Sequence, residues 1–351
     1  MHQTSVIFFV FLTDVNYIRI KGVDILDKLE ETKGTFKVVG FAVGLQNQDA
    51  YREGVVDKGA NEGKAYRSLR FGVRVSPTNL INVELYGVEK DSVYPYNNNK
   101  KESIEIPWED RFNPPAGYKV IGVNMNLVDK REMMVEYDAI EHIYNSLKDG
   151  DSVYVSGNIQ WQEFLTRNGD EVVASKYAIR AIYKTKTPVE FDAEDFVPTN
   201  DFEQTIVVTD VIKEEETLLV NAYVVGYSTY YATQFVIDIT KQKGLAKKFT
   251  KFKFGDQVKV FGKIINETEV IKEEIDDDDD WGDMPESYKG KITNTNREML
   301  ITRADPDSYE KKKYDVKDFY NKDKEFAADD DDDDDWGDGD TKDDTDDDLP
   351  F

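Results

Sequence analysis

Tyr66, Arg70 and Arg74 fall on one parity of the stretch from Tyr66 to Val75, while Leu69, Phe71, Val73 and Val75 fall on the other. Side chains alternate across a strand, so this spacing predicts a half-buried strand whose wet side carries one ring and two guanidinium groups. Rings stack on unpaired bases and guanidinium groups hold phosphates, and each base–ring stack is worth about 1–3 kcal/mol. The competing reading is an ordinary solvated face with cross-strand ion pairs, for example from an arginine to Glu84. Enzyme chemistry finds less support. Gly59 to Lys64 has three residues between its glycines where a phosphate-binding loop has four, and Ala65 stands where that loop needs Ser or Thr. There is no cysteine, and the two histidines, His2 and His142, are far apart. Thiolate sites, disulfides and a zinc centre are therefore not expected, no cofactor is implied, and no pair of carboxylates is singled out for acid–base work. The reading is a binding protein, not an enzyme, suited to a reducing cytoplasm.

The elements that would position these residues announce themselves by a repeat. Gly150-Asp151-Ser152-Val153-Tyr154-Val155-Ser156-Gly157-Asn158-Ile159 returns as Gly255-Asp256-Gln257-Val258-Lys259-Val260-Phe261-Gly262-Lys263-Ile264. Each copy reads as a strand with a glycine bend, preceded by a short helical pattern, Val135 to Leu147 and Leu245 to Phe252. Helix, Gly-Asp turn and bent strand match the approach to the fourth strand of an OB-fold, the five-stranded Greek-key barrel. Thr35 to Leu45, Tyr66 to Val75 and Leu80 to Tyr86 supply three earlier strands, with Gln46 to Lys64 read as a loop. The fold class expected is all-β with short helices: two OB-like five-stranded barrels followed by a disordered acidic tail. The boundaries are an extension over 1–34, a first barrel over 35–187 with an insertion at 90–130, a linker over 188–200, a second barrel over 201–303 with an acidic loop at 273–290, and a tail over 304–351. The second barrel's last strand is open between Glu269 to Ile275 and Lys291 to Arg303.

The stretch from Val153 to Ile182 resembles the last hairpin of bacterial and phage single-stranded DNA-binding proteins, where a V-Y-V-x-G-x-L strand is followed by an aromatic, a Gly-containing turn, here Asn168-Gly169, and a returning strand. The end of the chain, Asp346-Asp347-Asp348-Leu349-Pro350-Phe351, is similar to the acidic tip of the same family. The resemblance implies a sequence-nonspecific coat for single-stranded DNA in replication, recombination and repair, whose tip recruits partner enzymes. It implies a cytoplasmic place of work, the host's cytoplasm if the chain is phage-encoded. On the outward positions that reading adds Tyr86, Tyr154, Lys176 and Arg180 to Tyr66, Arg70 and Arg74. Phe164 falls where the family has a base-stacking tryptophan. Trp108, in the insertion, is read either as a stacking ring or as a cap on the barrel, and Trp161 as a core ring. The family usually has one barrel per chain, so its assembly does not carry over and self-association stays open.

Net charge is -26, which argues against a nucleic-acid partner until its distribution is read. Residues 276–351 hold 29 acidic and 11 basic side chains, so most of the imbalance belongs to the tail and any DNA face is a local patch. Within it Asp276 to Asp283 recurs unchanged at Asp331 to Asp338, a charge density that cannot pack. A calcium loop is excluded because Trp281 and Trp336 stand before its glycine. The apolar run Val6 to Leu12 is far short of the roughly 18 residues a membrane span needs. The second unit's lysines 247, 248, 251, 253, 259 and 263 make its most basic segment. The alternative function is a scaffold or an acidic nucleic-acid mimic that leaves DNA unbound.

Overall fold

The structure, a computed structural model, describes residues 29–319 apart from 129, 167, 168, 170, 228 and 273–290. The run Val6 to Leu12, Asn168, both Asp-rich repeats and the terminal six residues lie outside the described residues. Among the described residues, ten main strands and two helices frame the molecule. In the first unit β1 (Gly34–Val43), β2 (Ala65–Arg74), β3 (Leu80–Val88), α1 (Glu136–Ser146), β4 (Ser152–Leu165) and β5 (Glu171–Lys184) follow in order. In the second, β6 (Thr199–Lys213), β7 (Thr217–Val225), β8 (Tyr230–Asp238), α2 (Lys243–Phe249), β9 (Gln257–Lys272) and β10 (Lys291–Ala304) repeat the order.

Pairing closes each unit. β1 lies antiparallel to β2 and β4, β2 to β3, β4 to β5, and β3 runs parallel to β5. In the second unit β6 pairs with β7 and β9, β7 with β8 and β9 with β10, while β8 and β10 meet in parallel at Val236 and Leu300. The circuit first–second–third–fifth–fourth–first is that of an OB barrel, so the two-barrel expectation holds. Lys291–Ala304 is the second barrel's closing strand; the weak alternative at Glu269 only lengthens β9. Two expectations need correcting. The loop from Gln46 to Lys64 contains a strand, Tyr51–Val55, paired with β2. Residues 305–319, assigned to the tail, fold against the second barrel, with Tyr314 and Phe319 buried beside Val207 and Val225.

The repeated motif now has a physical account. Gly150 and Gly255 sit at φ of 89° and 85°, where a side chain is strained. The carboxylates of Asp151 and Asp256 accept the backbone N–H of Lys148 and Lys253, closing the turn into the strand. Val153, Val155, Val258 and Val260 are buried. At Gly157 and Gly262 the register with the fifth strand slips by one, and a Cβ there would land on the carbonyl oxygens of Ala178 and Leu300. The glycine lets the fifth strand bulge inward and the barrel curl.

The barrels share one sheet. Gly34–Val39 of β1 pairs with Thr199–Gln204 of β6. Asn79, buried at the β2–β3 turn, donates to the Ile264 carbonyl at 2.9 Å and accepts from the Asn266 N–H at 3.1 Å. Trp161, expected in the core, is half-buried; its indole N–H donates to Gln204 at 3.2 Å and its ring meets Phe235 edge-on. One apolar core runs through both units, from Phe36 and Leu69 to Phe235 and Phe249.

The insertion is built of short pieces. Trp108 opens a 3-10 turn and is 4% exposed, packed with Val93, Ile106 and Val135 and covered by the Arg111 guanidinium at 4.2 Å. This corrects its reading as a base-stacking ring, since no face is left for a base. Val123–Asn126 joins β5 in parallel and carries Glu132–Met134 on its outer edge.

Candidate nucleic-acid interface

β2 and β3 place the first-barrel candidates as the alternation requires. Leu69, Phe71, Val73, Ile81, Val83 and Leu85 are buried, which sends Tyr66, Arg70, Arg74, Glu84 and Tyr86 to the solvent side. Tyr66 and Tyr86 stack on each other with centroids 5.7 Å apart and planes 29° apart, and Tyr86 keeps 55% of its surface exposed. The ring is held from below and open above, the geometry a base can cover. Arg70 is exposed and forms no ion pair with another described residue, although Glu84 stands directly across from it. Arg74 is partly used by its own turn, its Nη1 donating to the Pro77 carbonyl at 3.0 Å.

Beside Tyr86 a cleft of about 390 Å³ opens between β3, β5 and β4. Its walls include Glu84, Tyr86, Asn158, Gln160, Arg180 and Glu136. Arg180 donates to Glu136 at 2.7 Å and Lys176 lies 3.4 Å from Glu84. Both basic residues therefore reach the face as expected, but each is held by a carboxylate of the same wall. Phosphates would have to compete with those carboxylates at modest cost, because half-exposed pairs are worth at most about 1 kcal/mol.

Two predicted residues lie away from the cleft. Tyr154 stands outward on β4, stacked on Tyr183 across the strand pair at 5.8 Å and 16°. Phe164, 44% exposed opposite Val172, is on the arm that β4 and β5 extend beyond the barrel. Tyr183, Asn158, Gln160 and Lys90 escape the sequence reading. Tyr183 is hidden by the bulge: Ile179 and Ile182 both point inward, so alternation counted through Arg180 assigns the wrong side. Deeper in, burial of the Tyr177 hydroxyl pushes its phenol up to about 12, and the ring packs edge-on against Phe36.

The same place in the second barrel differs. The cleft between β8, β10 and β9 is about 300 Å³ and is walled by Glu216, Asp238, Glu267 and Glu298 with Lys241. Asp238 is held down to about 2 by hydrogen bonds from Thr240 and Lys241. Tyr223 and Tyr230, at the β7–β8 turn, are covered by Phe319 with centroids at 4.7 and 5.1 Å, and the Tyr230 hydroxyl donates to the Phe319 carbonyl.

Residues 50–334 match the family described as YorF. The chain belongs to the YorF family. No curated protein matches the chain. Among solved structures, wild-type single-stranded DNA binding protein from Thermus aquaticus superposes with a TM-score of 0.39 at 10% identity, over 79% of this chain and 93% of that one. A deletion mutant of the same Thermus protein gives 0.37 at 12% identity, over 78% and 93%. Likeness at that level carries no weight for what this YorF member does; the barrel assignment stands on its own strand order. Among the described residues no helix is long and apolar enough to cross a membrane.

Proposed function

We propose that this protein binds single-stranded DNA without sequence preference, through the outward side of the first barrel. The observation that carries the reading is the Tyr66–Tyr86 stack, open on one side, flanked by Arg70 and leading into the cleft of β3, β4 and β5. A base stacked on Tyr86 and phosphates along Arg70, Lys176 and Arg180 would give affinity with no base-edge readout, which needs groups set for particular bases. Among the described residues of the cleft wall, Asn61, Asn158 and Gln160 are the amides that could meet a base edge, too few to read a sequence. The tip, Leu349-Pro350-Phe351 with its aspartates, would recruit replication and recombination enzymes, on the strength of its sequence resemblance.

Binding of a labelled oligothymidylate to the full chain tests the reading. Tyr86→Ala should weaken it by about 1–3 kcal/mol, and Arg70→Ala should flatten the dependence of log affinity on log salt by about 0.7. Unchanged affinity and slope in both would refute the face. Removing Asp346 to Phe351 should leave DNA affinity intact while abolishing capture of partner enzymes. A second reading, a scaffold for proteins, draws on Glu84 and Glu136 in the cleft wall; it requires that no oligonucleotide binds at moderate salt.

A further inference from the structure

The second barrel has an exposed ring, Tyr227, at its β7–β8 turn, but among its described residues no open stack beside a cleft like that of Tyr66 and Tyr86 in the first. Its own cleft is lined by four carboxylates, and Tyr223 and Tyr230 lie under Phe319. It has instead a basic surface at its helical end. Lys243, Lys247 and Lys248 on α2, with Lys251 and Lys253 just beyond, are all exposed, and none forms an ion pair with another described residue. Residues 241–255 contain no acidic side chain, in a chain of net charge -26. The apolar side of this segment is spent elsewhere: Ala246 and Phe249 are buried, and Phe252 stacks between Phe249 and Tyr309. No exposed ring is left among these lysines to meet a base.

The lysine-bearing turn is also fixed in place. Asp256, 2% exposed, accepts from the Lys253 N–H at 3.1 Å, the Tyr309 hydroxyl at 3.1 Å and the Lys312 N–H at 2.8 Å. One buried carboxylate thus fastens the turn after α2 to the segment that follows β10. The equivalent helix of the first barrel has the opposite character: α1 carries Glu136, Asp138 and Glu141 and no Lys or Arg.

We propose that the lysines of α2 and its following turn form a second nucleic-acid site that holds the phosphate backbone alone, single-stranded or duplex, with no part taken by bases. The site deepens the DNA-binding reading above and rests on it. Ammonium groups are point charges that suit phosphate without demanding a geometry, and with no ring to stack on, the site cannot tell paired from unpaired strands. A strand leaving the first barrel, or the duplex flanking a single-stranded gap, supplies the same chemistry.

The test uses the full chain and two probes, a blunt duplex and an oligothymidylate short enough for one barrel. The variant Lys247→Ala, Lys248→Ala, Lys251→Ala, Lys253→Ala should lower duplex affinity at least about ten-fold and flatten its salt slope by about 0.9 for each phosphate no longer neutralised. Replacing the same four by Arg should restore the slope. Short oligothymidylate binding, which reports the first barrel through Tyr86→Ala, should not change in either variant, so failure of the first-barrel reading shows in a separate signal. An unchanged duplex slope in the Ala variant overturns the site, as does a parent chain that ignores duplex at low salt. If duplex binding emerges only when residues 320–351 are removed, the lysines serve the chain's own carboxylates and the proposal also falls.

Discussion

The first barrel leaves Tyr66 and Tyr86 open above a cleft of mixed charge, whereas the second covers Tyr223 and Tyr230 with Phe319 and lines the matching cleft with carboxylates. Around their helices the contrast reverses: α1 is acidic and α2 basic. Strand order, Gly-Asp turn and glycine bulge are common to both. What the pair teaches is that inward positions specify the barrel and outward ones are free to diverge, because a strand's two sides answer to different environments.

The largest effects fall at the bulge glycines. Gly157→Ala and Gly262→Ala each drive a methyl into a fifth-strand carbonyl and should cost about 3 kcal/mol by overpacking, read as a fall in the denaturant midpoint. If the barrels divide the work as proposed, the Gly262 variant keeps oligothymidylate binding where the Gly157 variant loses it. Next comes the joint between them. Asn79→Ala strips the Asn266 N–H of its buried acceptor and should cost about 1–3 kcal/mol, and thermal unfolding should separate into two steps; one sharp transition would mean that the β1–β6 pairing and the shared core couple the units without it. A smaller effect sharpens the cleft comparison: Glu136→Gln frees Arg180 and should tighten oligothymidylate binding by up to about five-fold, in line with a half-exposed ion pair.

The smallest effect concerns acid. Asp238 is held to about 2 when folded against an ordinary 3.8, so its hydrogen bonds add stability that is present above the ordinary value and lost as pH falls toward the folded one. Asp238→Asn should lower stability at neutral pH, flatten the acid limb between those values and converge with the parent below the folded one. An equal loss that persists at the acid end, where the parent's carboxyl is already protonated, would show that the side chain's shape, not its charge, braces the Thr240 turn.

Much of this architecture can be read from residue order. The two copies of G-D-x-V-x-V-x-G encode a positive φ, a turn carboxylate, inward valines and a bulge, so strand and curvature are both legible. Tyr66, Arg70 and Tyr86 follow from alternation because β2 and β3 pair without interruption. Tyr183 does not, because a bulge resets parity with no mark on its own strand. Trp108 sits in a loop by local pattern, and its burial depends on Val93 and Val135 converging with its neighbour Ile106 from 15 and 27 residues away. The closing strand at Lys291 is hard to place from sequence because an acidic repeat separates it from its partner β9.

β1 has both edges committed: β4 occupies one and β6 the other along Gly34–Val39. During synthesis the first barrel can close once Lys184 has emerged, yet its opening strand goes without one neighbour until Thr199–Gln204 arrives. In that interval a row of backbone donors and acceptors is exposed to any passing strand, another nascent copy included. A chain cut within 188–198 would make that interval permanent, and dimers zipped through β1 would be its natural product.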